Sequence, residues 1–227
     1  MKKLLISTFA FFLAITLPAQ SYNQQVDFGV RAGWGTSSYS NYKSGDIGSA
    51  YDFSTWGWGL GMFMQMRVNH LYFQPELFYI KSYIDLTGPV PDDTSVNGDL
   101  QLDFSNIQVP LVVGYRTKFE GNALRFGAGL FFNFLVSSKG EYTQTPGSTV
   151  PIGEDALNGF NSMSLGARFN LGFDLGDFLF DAHFQSGFSR GEEFATFFGS
   201  DLGKATNWGF AVGYKILKSS KKQPNIL

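Results

Sequence analysis

The side chains best suited to chemistry lie in Phe180-Asp181-Ala182-His183-Phe184-Gln185-Ser186-Gly187-Phe188-Ser189. The 227 residues hold two histidines, His70 and His183. A histidine near a serine and an aspartate suggests a hydrolytic triad, in which the imidazole takes the hydroxyl proton and the carboxylate orients the ring. The spacing argues against it. Ser189 and Asp181 share a face with His183 only if the segment is a strand, and six residues of strand span about 20 Å, beyond any hydrogen bond. Ser186 is nearer but falls on the opposite face. His183 is therefore expected to be a structural histidine paired to a carboxylate.

Other candidates fare similarly. Glu76, in Gln74-Pro75-Glu76-Leu77, lacks a second acid at matching spacing for general acid–base work, so it is expected to bridge to an arginine. Asp92-Asp93 and Glu192-Glu193 offer oxygen ligands for a divalent cation, but without EF-hand spacing, and solvated loops are the favoured reading. Gly57-Trp58-Gly59-Leu60-Gly61 lacks the spacing of a phosphate-binding loop. The chain has no cysteine, which excludes disulfides and thiolate metal sites. No catalytic residue, cofactor or metal is expected, and the protein is not expected to be an enzyme.

The elements that carry these residues are strands. From 161 to 175, Met163, Leu165, Ala167, Phe169, Leu171, Phe173 and Leu175 fall on one face. Ser164, Gly166, Arg168, Asn170, Gly172 and Asp174 fall on the other. Period-two alternation of this length marks a strand between an apolar and a polar medium. Eight such strands are predicted, at 26–35, 55–67, 71–84, 102–116, 124–137, 162–175, 178–189 and 206–217. Most exceed the ~9–11 residues that a tilted strand needs to cross a membrane. Long connections at 36–54, 85–101, 138–161 and 190–205 alternate with short ones at 68–70, 117–123 and 176–177. That alternation is the membrane-barrel pattern, with long loops outside and tight turns in the periplasm. Pro75 and Pro110 are expected to disturb the ladder, since proline lacks the amide donor.

Composition agrees. Aromatic residues make up 17% of the chain and charged residues 16%, the latter below the ~25% of soluble domains. Residues 1–19 read as a cleaved signal peptide: Lys2-Lys3, an apolar run from Leu4 to Leu17, then Pro18-Ala19. The run is too short for a spanning helix of ~20 residues. Residues 20–218 form the predicted barrel domain, and 219–227 a tail. No basic cluster precedes that tail, so nucleic acid is not an expected partner.

Three observations turn the apolar face toward lipid. The apolar set is too bulky for the interior of an eight-stranded barrel, whereas Gly29, Gly33, Gly57, Gly59, Gly61, Gly127, Gly129, Gly166, Gly209 and Gly213 on the other face suit a narrow lumen. Trp34, Trp56, Trp58 and Trp208 fall at one level near the outer rim, and Tyr115 and Tyr214 near the inner rim, as interface girdles do. The charges Asp27, Arg31, Arg67, Glu76, Arg116, Arg125, Arg168, Asp174, Asp181 and Lys215 share the inner face, joined there by His183. An Arg or Lys facing lipid at midplane costs about 2–4 kcal/mol, so a buried, roughly balanced network inside the lumen is expected.

Four short motifs in order resemble the PorT-like outer-membrane β-barrel family of Bacteroidetes-type bacteria. They are Val26-Asp27-Phe28-Gly29-Val30-Arg31-Ala32-Gly33, Gln74-Pro75-Glu76-Leu77, Ile107-Gln108-Val109-Pro110-Leu111 and Phe126-Gly127-Ala128-Gly129. The resemblance covers about 24–217 and implies no catalytic residue. It implies an export route through the barrel assembly machinery. The tail beyond the last strand departs from barrels that end on an aromatic; Tyr214 or Ile216 would have to serve from within. A His-x-Ser pair like that of lipid A deacylases is missing, because Gln185 stands at the serine position.

The expectation is thus an all-β, eight-stranded antiparallel up-and-down transmembrane barrel in a Gram-negative outer membrane, among lipid and lipopolysaccharide. Its lumen is closed by charge, and it has a structural or binding role through loops 36–54, 138–161 and 190–205. The alternatives are a narrow channel for small solutes, an accessory of a secretion machine, and a lipid-modifying enzyme.

Overall fold

The computed structural model describes residues 24–39, 52–90, 93–144, 148–152, 163–190 and 204–220. The signal segment therefore lies outside the described residues, as do residues 40–51 and 191–203 of two expected loops. The strands are β1 (Gln24–Tyr39), β2 (Asp52–Val68), β3 (Leu71–Val90), β4 (Asp93–Phe119), β5 (Asn122–Gln144), β6 (Ser148–Ile152), β7 (Met163–Leu175), β8 (Phe178–Arg190) and β9 (Lys204–Ser220). All but β6 close an antiparallel ring of eight, β1-β2-β3-β4-β5-β7-β8-β9, with β9 returning to β1. Closure leaves the ring no unpaired edge, a requirement of any sheet in lipid. Among the described residues β6 pairs only with β5.

Tight turns set the register at the lower end. Val68 pairs with Leu71, Phe119 with Asn122 and Leu175 with Phe178, so each turn has two central residues. Glu120 and Gly121 both take positive φ, 44° and 83°, as a type I′ hairpin demands. Register shifts fall at four steps among the described residues, Phe28/Gly29, Pro89/Val90, Ser105/Asn106 and Ser186/Arg190, and two of them insert a single residue. Ile216 is an extra residue of β9 opposite the Phe28/Gly29 step, and Val136 is an extra residue of β5 opposite Ser105/Asn106. Pro75 and Pro110 instead interrupt pairing without moving it: β2 and β3 keep one register on both sides of Pro75, as do β3 and β4 across Pro110. The missing amide removes rungs, not residues.

The outer surface is apolar. Trp34, Leu60, Met62 and Phe210 are each 56% exposed or more. A contiguous apolar belt of that kind needs lipid against it. Its upper edge is marked where Lys81 meets Asp103 on the outer face, at 3.6 Å, and the Tyr79 hydroxyl donates to Ser105 at 3.0 Å. Above that edge β3, β4 and β5 continue and β6 joins them. The expected loops 85–101 and 138–161 are thus in large part a raised sheet. The last strand also runs two residues past 218, to Ser220.

Candidate functional site: a lumen packed below and hollow above

All eight ring strands place at least one charge in the lower lumen. Asp27 and Arg31 come from β1, Arg67 from β2, Glu76 from β3, Arg116 from β4, Arg125 from β5, Arg168 and Asp174 from β7, Asp181 from β8 and Lys215 from β9. Each is 7% exposed or less. They form one connected chain. Arg67 and Lys215 meet Asp27; Lys215 also reaches Asp174 at 3.3 Å. Asp174 accepts from Arg116 Nε at 3.0 Å and Arg125 Nε at 2.6 Å. Arg125 Nη2 donates onward to Asp181 at 2.8 Å, and Arg31 joins Asp181 to Glu76. Gln65 donates to Gln74 at 2.6 Å, and Gln74 donates to Glu76. The desolvation of such charges offsets their attraction, so the network adds little net stability, but removing one member strands its partners.

Rings fill what the charges leave. Phe63, Tyr72, Phe78 and Phe131 are buried inside the lumen, although the inner face was expected to hold mostly glycine, charge and amide. Each is paired across the ladder with a glycine: Phe63 with Gly29, Phe78 with Gly61, Tyr72 with Gly114, Phe131 with Gly166. A Cβ on Gly29 or Gly114 would come to 2.5 Å from the facing ring. The glycines therefore make room for rings lying flat on the wall. The Arg125 guanidinium sits 6.0 Å from the Tyr72 ring centroid, tying rings to charges.

The upper lumen is different. Above the network lies a cavity of ≈ 140 Å³. Gly33, Gly35, Gly57 and Gly59 line its wall, and among the described residues Arg168 is its single charged lining residue. Gln108 and Gln185 exchange amide hydrogen bonds at 3.3 and 3.0 Å, and Asn133 donates to Asn106 at 3.3 Å. His183 lies here, its ring over Gly209. It is not paired to a carboxylate: Nδ1 has no hydrogen-bond partner. The reason is that Asp181, two residues before it, is already held by Arg31 and Arg125.

The expected girdle residues all face outward. Trp34, Trp56, Trp58, Trp208, Tyr115 and Tyr214 are 36–60% exposed. Trp56 stacks on Tyr83 with centroids 4.3 Å apart, and Trp208 packs on Phe184 at 4.6 Å. At the lower rim Tyr115 stacks on His70 at 5.4 Å and Tyr214 meets Phe178 at 5.1 Å. Among the described residues no group of histidine and acid side chains could hold a metal ion. Asp92, Glu192 and Glu193 lie outside them.

Gln65, Gln74, Gln108, Gln185 and the four lumen rings were missed as site residues. Their signal is parity: each falls on the glycine-bearing face of its strand.

Solved structures similar to this chain include Ail, the attachment invasion locus protein of Yersinia pestis. It is 13% identical, with 86% of this chain and 99% of Ail covered and a TM-score of 0.37. Neisserial surface protein A is 14% identical, covering 85% of this chain and 97% of its own, at 0.33. The outer membrane protease OmpT from Escherichia coli is 10% identical, covering 88% and 99%, at 0.36. The comparison with curated proteins returns no match. The model of a family described as "Outer membrane protein beta-barrel domain" matches residues 19–190, leaving β9 outside although it closes the ring. With strands long enough to cross, an apolar belt against lipid and charges held inside, the chain belongs to that outer membrane protein beta-barrel domain family and resides in the outer membrane.

Proposed function

We propose that the protein is a non-conducting barrel without catalytic activity that acts through its extracellular face, as a structural or binding element. One observation carries this reading: a single charge chain with members from all eight ring strands crosses the lower lumen. A route for solutes would have to pull that chain apart, leaving buried charges unpaired at several kcal/mol each. Support for the outward role is the raised sheet of β3–β6, which offers strand backbone and loop ends above the lipid. Lipopolysaccharide surrounds the upper belt in this reading, and the barrel assembly machinery inserts the chain. The absence of enzymatic activity is supported by His183, which has neither a hydroxyl nor a carboxylate partner. Purified protein in planar bilayers should give no steady conductance steps; a reproducible open pore would overturn the reading in favour of a narrow channel.

A second reading keeps the PorT-like kinship and makes the barrel an accessory of a secretion machine. Glu76 of the Gln74-Pro75-Glu76-Leu77 motif sits at the centre of the network, so that motif has a structural use in this fold. Cross-linked purification from native outer membranes should then capture secretion components in fixed proportion to the barrel. Recovery of the barrel without them would sink this second reading.

A further inference from the structure

The charge network does not balance. Its buried cations are Arg31, Arg67, Arg116, Arg125, Arg168 and Lys215; its buried anions are Asp27, Glu76, Asp174 and Asp181. Six against four leaves an excess of two positive charges, and even a neutral Lys215 leaves five arginines to four carboxylates. Arginine does not shed its proton in proteins, so the excess cannot be removed by titration of its guanidinium. Its place is visible in the geometry. Arg31, Arg67, Arg116 and Arg125 each hydrogen-bond a carboxylate. Arg168 does not: its Nη2 makes an ion pair with Glu76 Oε2 at 3.6 Å, too long for a hydrogen bond, and neither atom has another hydrogen-bond partner. Its Nε donates to the neutral amide oxygen of Asn170, at 2.9 Å.

Arg168 is 2% exposed, and among the described residues it is also the one charged residue lining the upper cavity. Beside it His183 Nδ1 lacks a partner too. Asn207, Asn106 and Asn133 line the same space. A buried guanidinium whose one carboxylate, Glu76, is shared with Arg31 is left short of anion, and a cavity lined by amides and glycine gives a second anion room to approach it. We infer that the upper lumen is a binding site for a small anion, a carboxylate or tetrahedral oxyanion, seated on Arg168 with His183 as a neutral donor. The volume, ≈ 140 Å³, admits one such group and excludes a bulky ligand from full entry. This site is independent of whatever the extracellular loops bind.

The test uses the detergent-folded full barrel, with His183 imidazole nitrogens followed by NMR during titration with inorganic phosphate, sulfate or acetate. Saturable movement of the His183 signals is expected with at least one probe. Tighter saturation by acetate assigns a carboxylate; tighter saturation by phosphate or sulfate assigns a free oxyanion. Arg168→Gln should weaken the binding at least about tenfold, the loss of one charge-assisted contact. Arg168→Lys should retain part of it and guards against a folding defect in the first variant. Lys81→Gln, which removes a cation of the outer surface, should leave it unchanged. His183 signals that move linearly without saturation, or saturate equally in wild type and Arg168→Gln, would overturn the inference.

Discussion

The two halves of the lumen use the same residue type for opposite ends. Below, Gly29, Gly61, Gly114 and Gly166 each lie under a ring, so missing side chains are replaced by neighbours and the space is solid. Above, the nearest atoms to a Cβ at Gly33, Gly35 or Gly57 are neighbouring backbone, Ala211 or Ser82, with no ring among them, and a cavity remains. Charge follows the same division. Nine of the ten buried charges lie below, and Arg168, at the boundary, is the one that lines the upper cavity among the described residues. Glycine on a barrel's inner face therefore does not by itself mean an open lumen. The residue across the ladder decides.

Breaking the lower half should have the largest effect. Arg125→Ala removes the link between Asp174 and Asp181 and empties the space its fully buried side chain fills, and a loss of about 3–5 kcal/mol is expected from urea unfolding in lipid vesicles, although Arg116, Lys215 and Arg31 still face the two carboxylates. Exchanging the faces comes next: Phe169→Arg on β7 puts a charge in lipid and should cost about 2–4 kcal/mol by the same assay. The glycine contrast gives a smaller, paired prediction. Gly29→Ala drives a methyl into the Tyr214 carbonyl oxygen and the Phe63 ring and should cost about 1–3 kcal/mol. Gly33→Ala meets only Phe210 O at 3.1 Å and Ala211, and should stay within about 0.5 kcal/mol. Equal losses at Gly29 and Gly33 would erase the distinction between packed and hollow.

Much of this division was readable from residue order. Period two placed every network charge inside and every tryptophan outside, because a membrane barrel cannot tolerate the reverse. The short connections 117–123 and 176–177 were legible as turns, and the structure closes them on Glu120-Gly121 and Gly176-Asp177, with positive φ at Glu120, Gly121 and Gly176. Less legible were features that depend on which strand residue faces which. Phe63 looks like an error in a polar face until register sets it over Gly29. The extra residues Ile216 and Val136 shift parity without any proline or glycine to mark them. Thr87-Gly88-Pro89 has loop chemistry, yet pairs in the raised sheet with Asn97, Gly98 and Asp99. His183 lost its expected carboxylate to two arginines on other strands, a competition invisible along the chain.

Because the chain has no native cysteine, single-cysteine variants can map the lumen directly. Ser82→Cys and Asn207→Cys line the upper cavity, whereas Gln65→Cys and Gln74→Cys replace fully buried side chains of the lower half. A membrane-impermeant maleimide added outside proteoliposomes of matched orientation should label the first pair within minutes and leave the second pair unlabelled in the folded barrel. Labelling of Gln65→Cys or Gln74→Cys at the rate of the upper pair would contradict a lumen closed by its charges.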